Sequence, residues 1–176
     1  MIACSYGKTG RHNRFTENVN GAHAVGLKVG AYHYDYSTTV EDAIENAKNC
    51  KAAIEEAGVL LELPVFYDLE DADDWKRNHG LVLDCDEDVY DADGYDAEAI
   101  FKLFTEMTQA FVSELGLDCG VYSSASWLDN FIDWKNIGCA VWNAGWGEND
   151  SIKGYMWQYT NKLVIGDKEF DGNILY

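Results

Sequence analysis

Positive charge and proline are scarce in this sequence of 176 residues. The chain has 13 Lys and Arg against 31 Asp and Glu, which gives a formal net charge of -18. Nucleic-acid phosphates and anionic lipid surfaces are bound by clustered Lys and Arg, so we expect no nucleic acid and no membrane as partners. The single proline and the absence of low-complexity tracts leave no linker between domains. We therefore expect a single domain over residues 1–176.

Patterns typical of metal, disulfide and phosphate-binding sites are also missing. The five cysteines are odd in number and widely spaced, with no CxxC pair, which favours free thiols over a disulfide framework or a zinc site. The four histidines show no metal spacing, and the glycines form no phosphate-binding loop. We therefore expect no metal and no organic cofactor.

Long apolar runs are absent as well. No stretch of 18 apolar residues occurs, and no basic start followed by an apolar run opens the sequence. These segments would mark a membrane span or a signal peptide. We expect synthesis in the cytosol, while the place of action can be elsewhere.

Short apolar segments and helical patterns alternate along the chain. Seven segments have the length of strands: 2–5, 28–34, 64–70, 119–124, 139–144, 155–159 and 170–174. Two helices are predicted by apolar residues at three- and four-residue steps, over 39–57 before Gly58 and over 96–115 before Gly116. Thr38 and Glu41 fit a capping box for the first helix.

This alternation predicts an α/β fold, with a parallel sheet covered by helices in the manner of a βα (TIM-like) barrel. The chain is short for such a barrel, which usually needs about 200 residues or more and eight strands. The segment 71–96 breaks the pattern with many Asp residues and few large apolar ones. We interpret it as a solvated acidic excursion. A calcium loop is the alternative, but the spacing does not match the EF-hand order.

Asp68 and Glu70 lie two residues apart at the end of the apolar segment PVFYDLE. In a strand, this spacing puts both carboxylates on one face, with Cα atoms roughly 6.6 Å apart. Neighbouring carboxylates raise each other's proton affinity, so one can stay protonated beside an ionised partner. A proton donor beside an anion is what glycosidic cleavage requires. The other interpretation is a strand that ends in a solvated acidic loop.

Aromatic and amide side chains stand at the expected ends of other strands, in the segments GAYHYDYS, GVYSS, AVWNAGW and MWQYT. Aromatic rings stack on the apolar faces of sugars, but any one of them can instead be a core residue. Several together at one end of the sheet favour a sugar-binding cleft. His33 is either a buried hydrogen-bonded imidazole or a substrate contact. The segment FDGN adds a third carboxylate, Asp171, at another strand end.

The ordered set CSYG, AVGLKVGAYHY, PVFYDLE, GVYSS, AVWNAGW, MWQY and FDGN resembles the Chalaropsis-type lysozymes, the muramidases of glycoside hydrolase family 25. The resemblance covers almost the whole chain. It implies an irregular βα barrel and hydrolysis of the β-1,4 bond between N-acetylmuramic acid and N-acetylglucosamine in bacterial peptidoglycan. Members occur in bacteria and as phage endolysins, so the expected place of action is the bacterial cell wall.

The resemblance also implies roles for individual residues. Glu70 corresponds to the general acid and base, and Asp68 and Asp171 to the other catalytic carboxylates. Five further residues are implied, or expected from their place in these segments, to bind substrate: His33, Tyr34, Tyr122, Trp142 and Gln158. The family is thought to retain anomeric configuration with help from the acetamido group of the substrate, which an aspartate orients.

One departure from the family concerns the N-terminal strand. Members normally begin with a strand that carries an Asp in a D-x-S type motif, and this sequence begins at what resembles the second strand. We therefore expect a barrel whose first strand is missing or replaced, and a homodimer is one way to fill the gap. Two alternatives to a muramidase remain: a catalytically impaired carbohydrate-binding relative, and a different barrel glycosidase such as a chitinase-like enzyme.

Overall fold

Strands and helices alternate in the computed structural model, which describes residues 1–83 and 94–176. The acidic residues from 84 to 93, on which the calcium alternative depended, lie outside the described residues. The strands are β1 (Ile2–Tyr6), β2 (Gly10–Arg11), β3 (Ala31–Tyr34), β4 (Val65–Asp68), β5 (Cys119–Ser124), β6 (Ala140–Ala144), β7 (Met156–Ile165) and β8 (Lys168–Leu175). The helices are α1 (Phe15–Ala24), α2 (Val40–Ala57), α3 (Trp75–Asn78), α4 (Ala97–Leu115) and α5 (Ala125–Phe131).

The strands form one sheet of eight, in the order β2-β1-β3-β4-β5-β6-β7-β8. The six strands from β1 to β7 in this order run parallel, whereas β2 and β8 are antiparallel to their neighbours. The predicted α/β class and parallel sheet are confirmed. In the part of the chain that the structure describes, β2 and β8 are the two ends of this order, so the sheet is not a closed barrel.

The two long helices begin and end close to the predicted residues. Helix α2 is capped by Thr39, whose side chain accepts a hydrogen bond from the backbone N–H of Asp42, and it ends at Gly58 in the left-handed conformation. The capping box predicted from Thr38 and Glu41 is therefore wrong by one residue. Thr39, which has extended backbone angles and immediately precedes the helix, is the N-cap.

Helix α4 shows the same devices at its two ends. Asp96 accepts a hydrogen bond from the backbone N–H of Ala99, and Gly116 follows the helix with a φ of 65°. Both long helices pack against each other, and α2 also packs against β1. Among the described residues, no helix has the length and apolar character needed to cross a membrane.

The two faces of the sheet have different compositions. Val65, Tyr67 and Leu69 point to the helices and belong to the large apolar core. The Tyr67 ring stacks on Phe111 of α4 at a centroid distance of 4.2 Å. Because side chains alternate along a strand, Phe66 and the residues in register with it form the other face, which we call the inner face. The carboxyl ends of the parallel strands meet at one edge of this face.

Candidate active site

Four residues lie in register across neighbouring parallel strands at the carboxyl edge of the inner face. Tyr34 of β3 pairs with Asp68 of β4, Asp68 with Tyr122 of β5, and Tyr122 with Trp142 of β6. Residues in register on parallel strands point to the same face, so this row places a carboxylate between aromatic rings. The structure thereby brings together four of the residues that the sequence predicts for the site.

Glu70 joins Asp68 on the inner face although β4 ends at Asp68. Leu69 between them is fully buried in the opposite core. Its N–H donates to the Tyr122 carbonyl at 2.9 Å, and its carbonyl accepts from the Ser123 hydroxyl at 2.6 Å. These two bonds hold the chain extended beyond the strand. The alternation of side chains therefore continues and returns Glu70 to the side of Asp68.

Burial and neighbouring charge act together on the two carboxyls. Burial raises the pKa of Asp68 well above its ordinary value, and the charge of Glu70 raises it further. Burial also raises the pKa of Glu70, against the opposing effect of the Lys76 ammonium. Asp68 Oδ1 is buried and has no hydrogen-bond partner among the described residues. The pair can therefore retain a proton at a pH at which separate, solvated carboxyls have lost theirs.

Asp171 lies at the exposed rim of the same region. It is on β8, two residues before Asn173, which pairs with Gln158 and accepts a hydrogen bond from the Trp142 indole N–H at 2.9 Å. Its charge contributes to raising the pKa of both Asp68 and Glu70, after the larger effect of burial. The predicted third carboxylate thus lies within electrostatic reach of the pair, with its side chain exposed.

Tyr122, Trp142 and Gln158 form the floor of the site. The Tyr122 hydroxyl donates to Gln158 Oε1 at 2.9 Å, and its ring lies 4.5 Å from that of Trp142. Trp142 is only 5% exposed and packs edge-on against Phe66. Trp142 therefore packs beneath the site as a buried residue. Its ring is not open for stacking on a sugar, contrary to the expectation from the sequence.

Tyr34 lies on the opposite side of Asp68 from Tyr122. Its hydroxyl donates to Asp73 Oδ1 at 3.4 Å. Burial raises the Tyr34 pKa well above its ordinary value, and the charges of Glu70 and Asp73 add to this effect. The phenol therefore remains protonated and can donate a hydrogen bond beside Glu70.

His33 is not brought together with the other predicted site residues. It is fully buried and faces the helices, where its ring contacts Phe111. Nε2 lies 2.8 Å from Asn46 Oδ1, and Nδ1 lies 2.8 Å from the Ser5 hydroxyl. Burial lowers its pKa to about 4, so the imidazole is neutral. Of the two interpretations, the buried hydrogen-bonded imidazole is correct, and the expectation that His33 contacts substrate is wrong for this conformation.

A buried ion pair beneath Glu70 was not predicted from the sequence. Lys76 of α3 is 1% exposed, and its Nζ lies 3.0 Å from Asp35 Oδ2. The same ammonium donates to the Asp35 carbonyl at 2.8 Å and to the Glu70 carbonyl at 3.0 Å. It therefore links the ends of β3 and β4 and fixes the backbone of Glu70.

The expectation of a solvated excursion is wrong for the beginning of the segment 71–96. Asp71 is buried and accepts hydrogen bonds from the Lys76 backbone N–H at 2.6 Å and from Arg77 Nε at 3.0 Å. These contacts close residues 71–77 into a compact turn, which the Lys76 ammonium joins to the ends of β3 and β4. Burial of a lysine depends on partners distant in sequence, so the only signal was a strand-end Asp in YHYDYS and a Lys in an acidic stretch.

No metal centre is found in the described part of the chain. No group of three His, Cys, Asp or Glu residues between 1 and 83 or between 94 and 176 could hold an ion. The residues of the site instead provide a protonated carboxyl, an anion and hydrogen-bonding aromatic side chains on one surface. This set of groups is suited to general acid-base cleavage of a bond such as a glycosidic bond.

Comparisons with known proteins identify solved structures of similar fold. The autolysin LytC from Streptococcus pneumoniae has a similar structure, with a TM-score of 0.76 and 18% identity over 99% of this chain and 40% of that chain. The catalytic domain of endolysin ply40 from bacteriophage P40 of Listeria monocytogenes matches with a TM-score of 0.69 and 19% identity, over 99% of this chain and 80% of that one. A family 25 glycosyl hydrolase from Bacillus anthracis gives 0.66 and 20%, over 99% and 76%.

At these identities the structural similarity shows the fold, and this chain spans less than half of the autolysin. No curated protein sequence matches the chain significantly. The family described as "Glycosyl hydrolases family 25" matches residues 1–168, which is nearly the whole sequence. The chain therefore belongs to glycosyl hydrolase family 25.

Proposed function

We propose that this chain is a peptidoglycan hydrolase, a 1,4-β-N-acetylmuramidase that lyses bacterial cell wall. The observation that carries the proposal is the pair of a buried Asp68 and a half-buried Glu70, both with raised pKa values, at the carboxyl edge of the inner face. Family membership supports the reaction class. The autolysin among the similar structures was determined with a synthetic peptidoglycan ligand, which supports the substrate.

In this proposal Glu70 donates its proton to the glycosidic oxygen as the bond from C1 of N-acetylmuramic acid breaks. The acetamido oxygen of the same sugar attacks C1, and the acetamido N–H donates a hydrogen bond to Asp68 Oδ1, which has no partner among the described residues. Glu70, now ionised, takes a proton from the water that opens this intermediate, which restores the acid and retains the configuration. Asp171 adds negative charge near the cation that develops on the sugar ring.

The test is the loss of turbidity of purified bacterial cell walls. Glu70→Gln removes the transferable proton and keeps the shape, so we expect the rate to fall about 10²- to 10⁴-fold. Glu55→Gln is the matched control, because Glu55 is exposed near the end of α2, and its rate should equal that of the wild type. Equal rates for wild type and Glu70→Gln would remove Glu70 from this role.

Two further outcomes separate the alternatives. A folded wild-type chain that binds glycan but clears no walls would identify a carbohydrate-binding relative. Mass analysis of released fragments identifies the sugar at the new reducing end: N-acetylmuramic acid supports the muramidase, and N-acetylglucosamine supports a different glycosidase.

We also propose self-association, since β2 and β8 end the described sheet and Ile174 and Leu175 of β8 are exposed. Sedimentation at several concentrations tests it.

A further inference from the structure

A group of aromatic rings extends outward from the site without a role in the reaction above. We define the outer aromatic rim as Tyr6, Tyr36, Trp75 and His79. Tyr36 is central, with its ring 6.4 Å from Tyr6 and 5.3 Å from Trp75, and Trp75 stacks on His79 at 4.0 Å. The rings come from three separate segments, which follow or end β1, β3 and β4. Their convergence at the edge where the site lies is therefore a property of the fold.

The outer aromatic rim is continuous with the catalytic carboxyls through Asp73. This carboxylate accepts from the Tyr36 hydroxyl at 2.7 Å and from the Tyr34 hydroxyl at 3.4 Å. The Tyr34 and Tyr36 rings are 5.0 Å apart. The charge of Asp73 also acts on the pKa of Glu70. A chain molecule that lies across Glu70 and Tyr34 would thus reach Tyr36 and Trp75 next.

The rings of the rim are linked by hydrogen bonds and ring contacts and remain partly accessible. Tyr6 is 41% exposed, Trp75 is half-buried and His79 is exposed. His79 Nδ1 lies 2.7 Å from the Trp75 carbonyl, and the backbone N–H of Trp75 donates to Asp73 at 3.3 Å. The rings are therefore held in place before any ligand arrives, which lowers the entropy cost of binding. Tyr and Trp rings are enriched in binding surfaces, where they combine a large apolar area with a polar group.

The chemistry of the rim fits an uncharged sugar ring. Pyranose rings present an apolar face for stacking and hydroxyl and amide groups at their edge. These groups can donate hydrogen bonds to the carboxylate oxygens of Asp73. The net charge of -18 disfavours strongly anionic ligands. We propose that the outer aromatic rim, with Trp75 as its main contact, is an additional subsite for sugars of the same glycan strand beyond the two that flank the cleaved bond. The inference rests on the proposed function, since Glu70 defines where cleavage occurs.

The test uses N-acetylglucosamine oligomers of three to six units as probes, titrated by calorimetry against the Glu70→Gln chain. With the rim intact, affinity should rise with oligomer length. Trp75→Ala in that background should weaken hexamer binding about tenfold and leave trimer binding nearly unchanged, as expected for loss of one aromatic contact. Trp75→Phe should restore most of the difference. Trp134→Ala is the control, because Trp134 is also half-buried but precedes β6 at the opposite end of the sheet.

Wall lysis provides the second readout. With Glu70 present, Trp75→Ala should raise KM for cell walls and leave kcat within about twofold, because the lost contact is equal in the ground and transition states. Hexamer affinity in Trp75→Phe and Trp75→Ala equal to that of the parent would overturn the subsite. Failure of the wild type to clear walls would instead overturn the proposed function, and the length dependence of oligomer binding would still report on the rim. Thermal unfolding of each variant excludes loss of fold as the cause.

Discussion

Two rows of residues, adjacent along the same strands, face opposite sides of the sheet and differ in their chemistry. The row His33, Tyr67, Val121 and Val141 faces the helices. The row Tyr34, Asp68, Tyr122 and Trp142 faces the inner side. Among the described residues, both imidazole nitrogens of the first row have partners and the Tyr67 hydroxyl has none, while in the second row Asp68 Oδ1 has none.

The comparison teaches how to separate structural from functional polar groups. A buried polar group costs free energy unless it is hydrogen-bonded, so most are satisfied within the fold. His33 follows this rule and stabilises the packing of β3 against α2. Asp68 violates it and is surrounded by further negative charge. The Tyr67 hydroxyl of the helix-facing row is also unpaired, so the feature that assigns ligand chemistry to the inner row is an unpaired carboxyl close to the charges of Glu70 and Asp171.

The largest effect is expected at the ion pair that supports the inner row. Lys76→Met leaves the Asp35 carboxylate buried without its cation, so the free energy of unfolding should fall by about 3–5 kcal/mol in urea denaturation. Adding Asp35→Leu removes the stranded charge, and the double variant should recover most of this loss. A double variant no more stable than Lys76→Met alone would contradict the assignment of the loss to the unpaired carboxylate.

Next in size is the effect of Asp68→Asn, which separates activity from stability. We expect wall lysis to fall about 10²- to 10³-fold, because the amide cannot carry the negative charge that Asp68 has when the proton shared by the pair is on Glu70. Stability at neutral pH should rise. Burial raises the pKa of Asp68 in the folded state, so the folded chain binds this proton more tightly than the unfolded chain. The free energy of unfolding therefore falls as pH increases above the ordinary carboxyl range of about 4. Asparagine removes that fall.

Urea denaturation at pH 4 and pH 7 measures this difference. The wild type should lose more stability than Asp68→Asn between the two values. An equal loss in both proteins would indicate that Asp68 is solvated and titrates normally.

A smaller effect is expected on the helix-facing row. Asn46→Ala removes the partner of His33 Nε2 and should lower the free energy of unfolding by about 1–3 kcal/mol. Lysis per folded molecule should not change, because His33 points away from the site. A fall in kcat with intact fold would contradict the division between the two rows.

The smallest effect concerns the floor of the site. Tyr122→Phe deletes the hydrogen bond to Gln158 Oε1, and we expect a loss of about 0.5–1.5 kcal/mol in thermal unfolding. Gln158 is buried, so the unpaired amide oxygen accounts for most of the cost. No loss of stability would show that water replaces the phenol, and that the floor is more open than its packing indicates.

Much of the fold was predictable because its signals are local. The apolar steps of α2 and α4 and the glycines after them specify both helices, and the bounds of β5 agree with the predicted segment. The two-residue strand β2 and the short helices α3 and α5 are below the length at which a period can be recognised. Alternation also predicts a strand but not its direction, so the antiparallel return of β8 was missed.

The site was predictable to a similar extent. The two-residue spacing of Asp68 and Glu70 determines a shared face wherever the backbone is extended, and that condition is local. The burial of Lys76 depends on Asp35, 41 residues earlier, and no local pattern specifies such a pair. His33 shows the same limit, since one register step separates it from Tyr34 and reverses its face.

The pKa of the Glu70 carboxyl tests the central claim most directly. Carbon-13 NMR of selectively labelled glutamate follows the protonation of this carboxyl between about pH 3 and pH 8, a range that includes the ordinary pKa of glutamate. The Glu70 signal is assigned by its loss in Glu70→Gln. Burial and the charges of Asp73 and Asp171 raise the pKa of Glu70, so the account predicts a pKa above 4.5. This pKa should move downward in Asp68→Asn, because Asp68 and Glu70 interact electrostatically and the variant removes one of the two ionisable carboxyls. A Glu70 carboxyl that titrates at or below 4.5 in the wild type, unchanged in Asp68→Asn, would contradict the shared proton on which the proposed reaction depends.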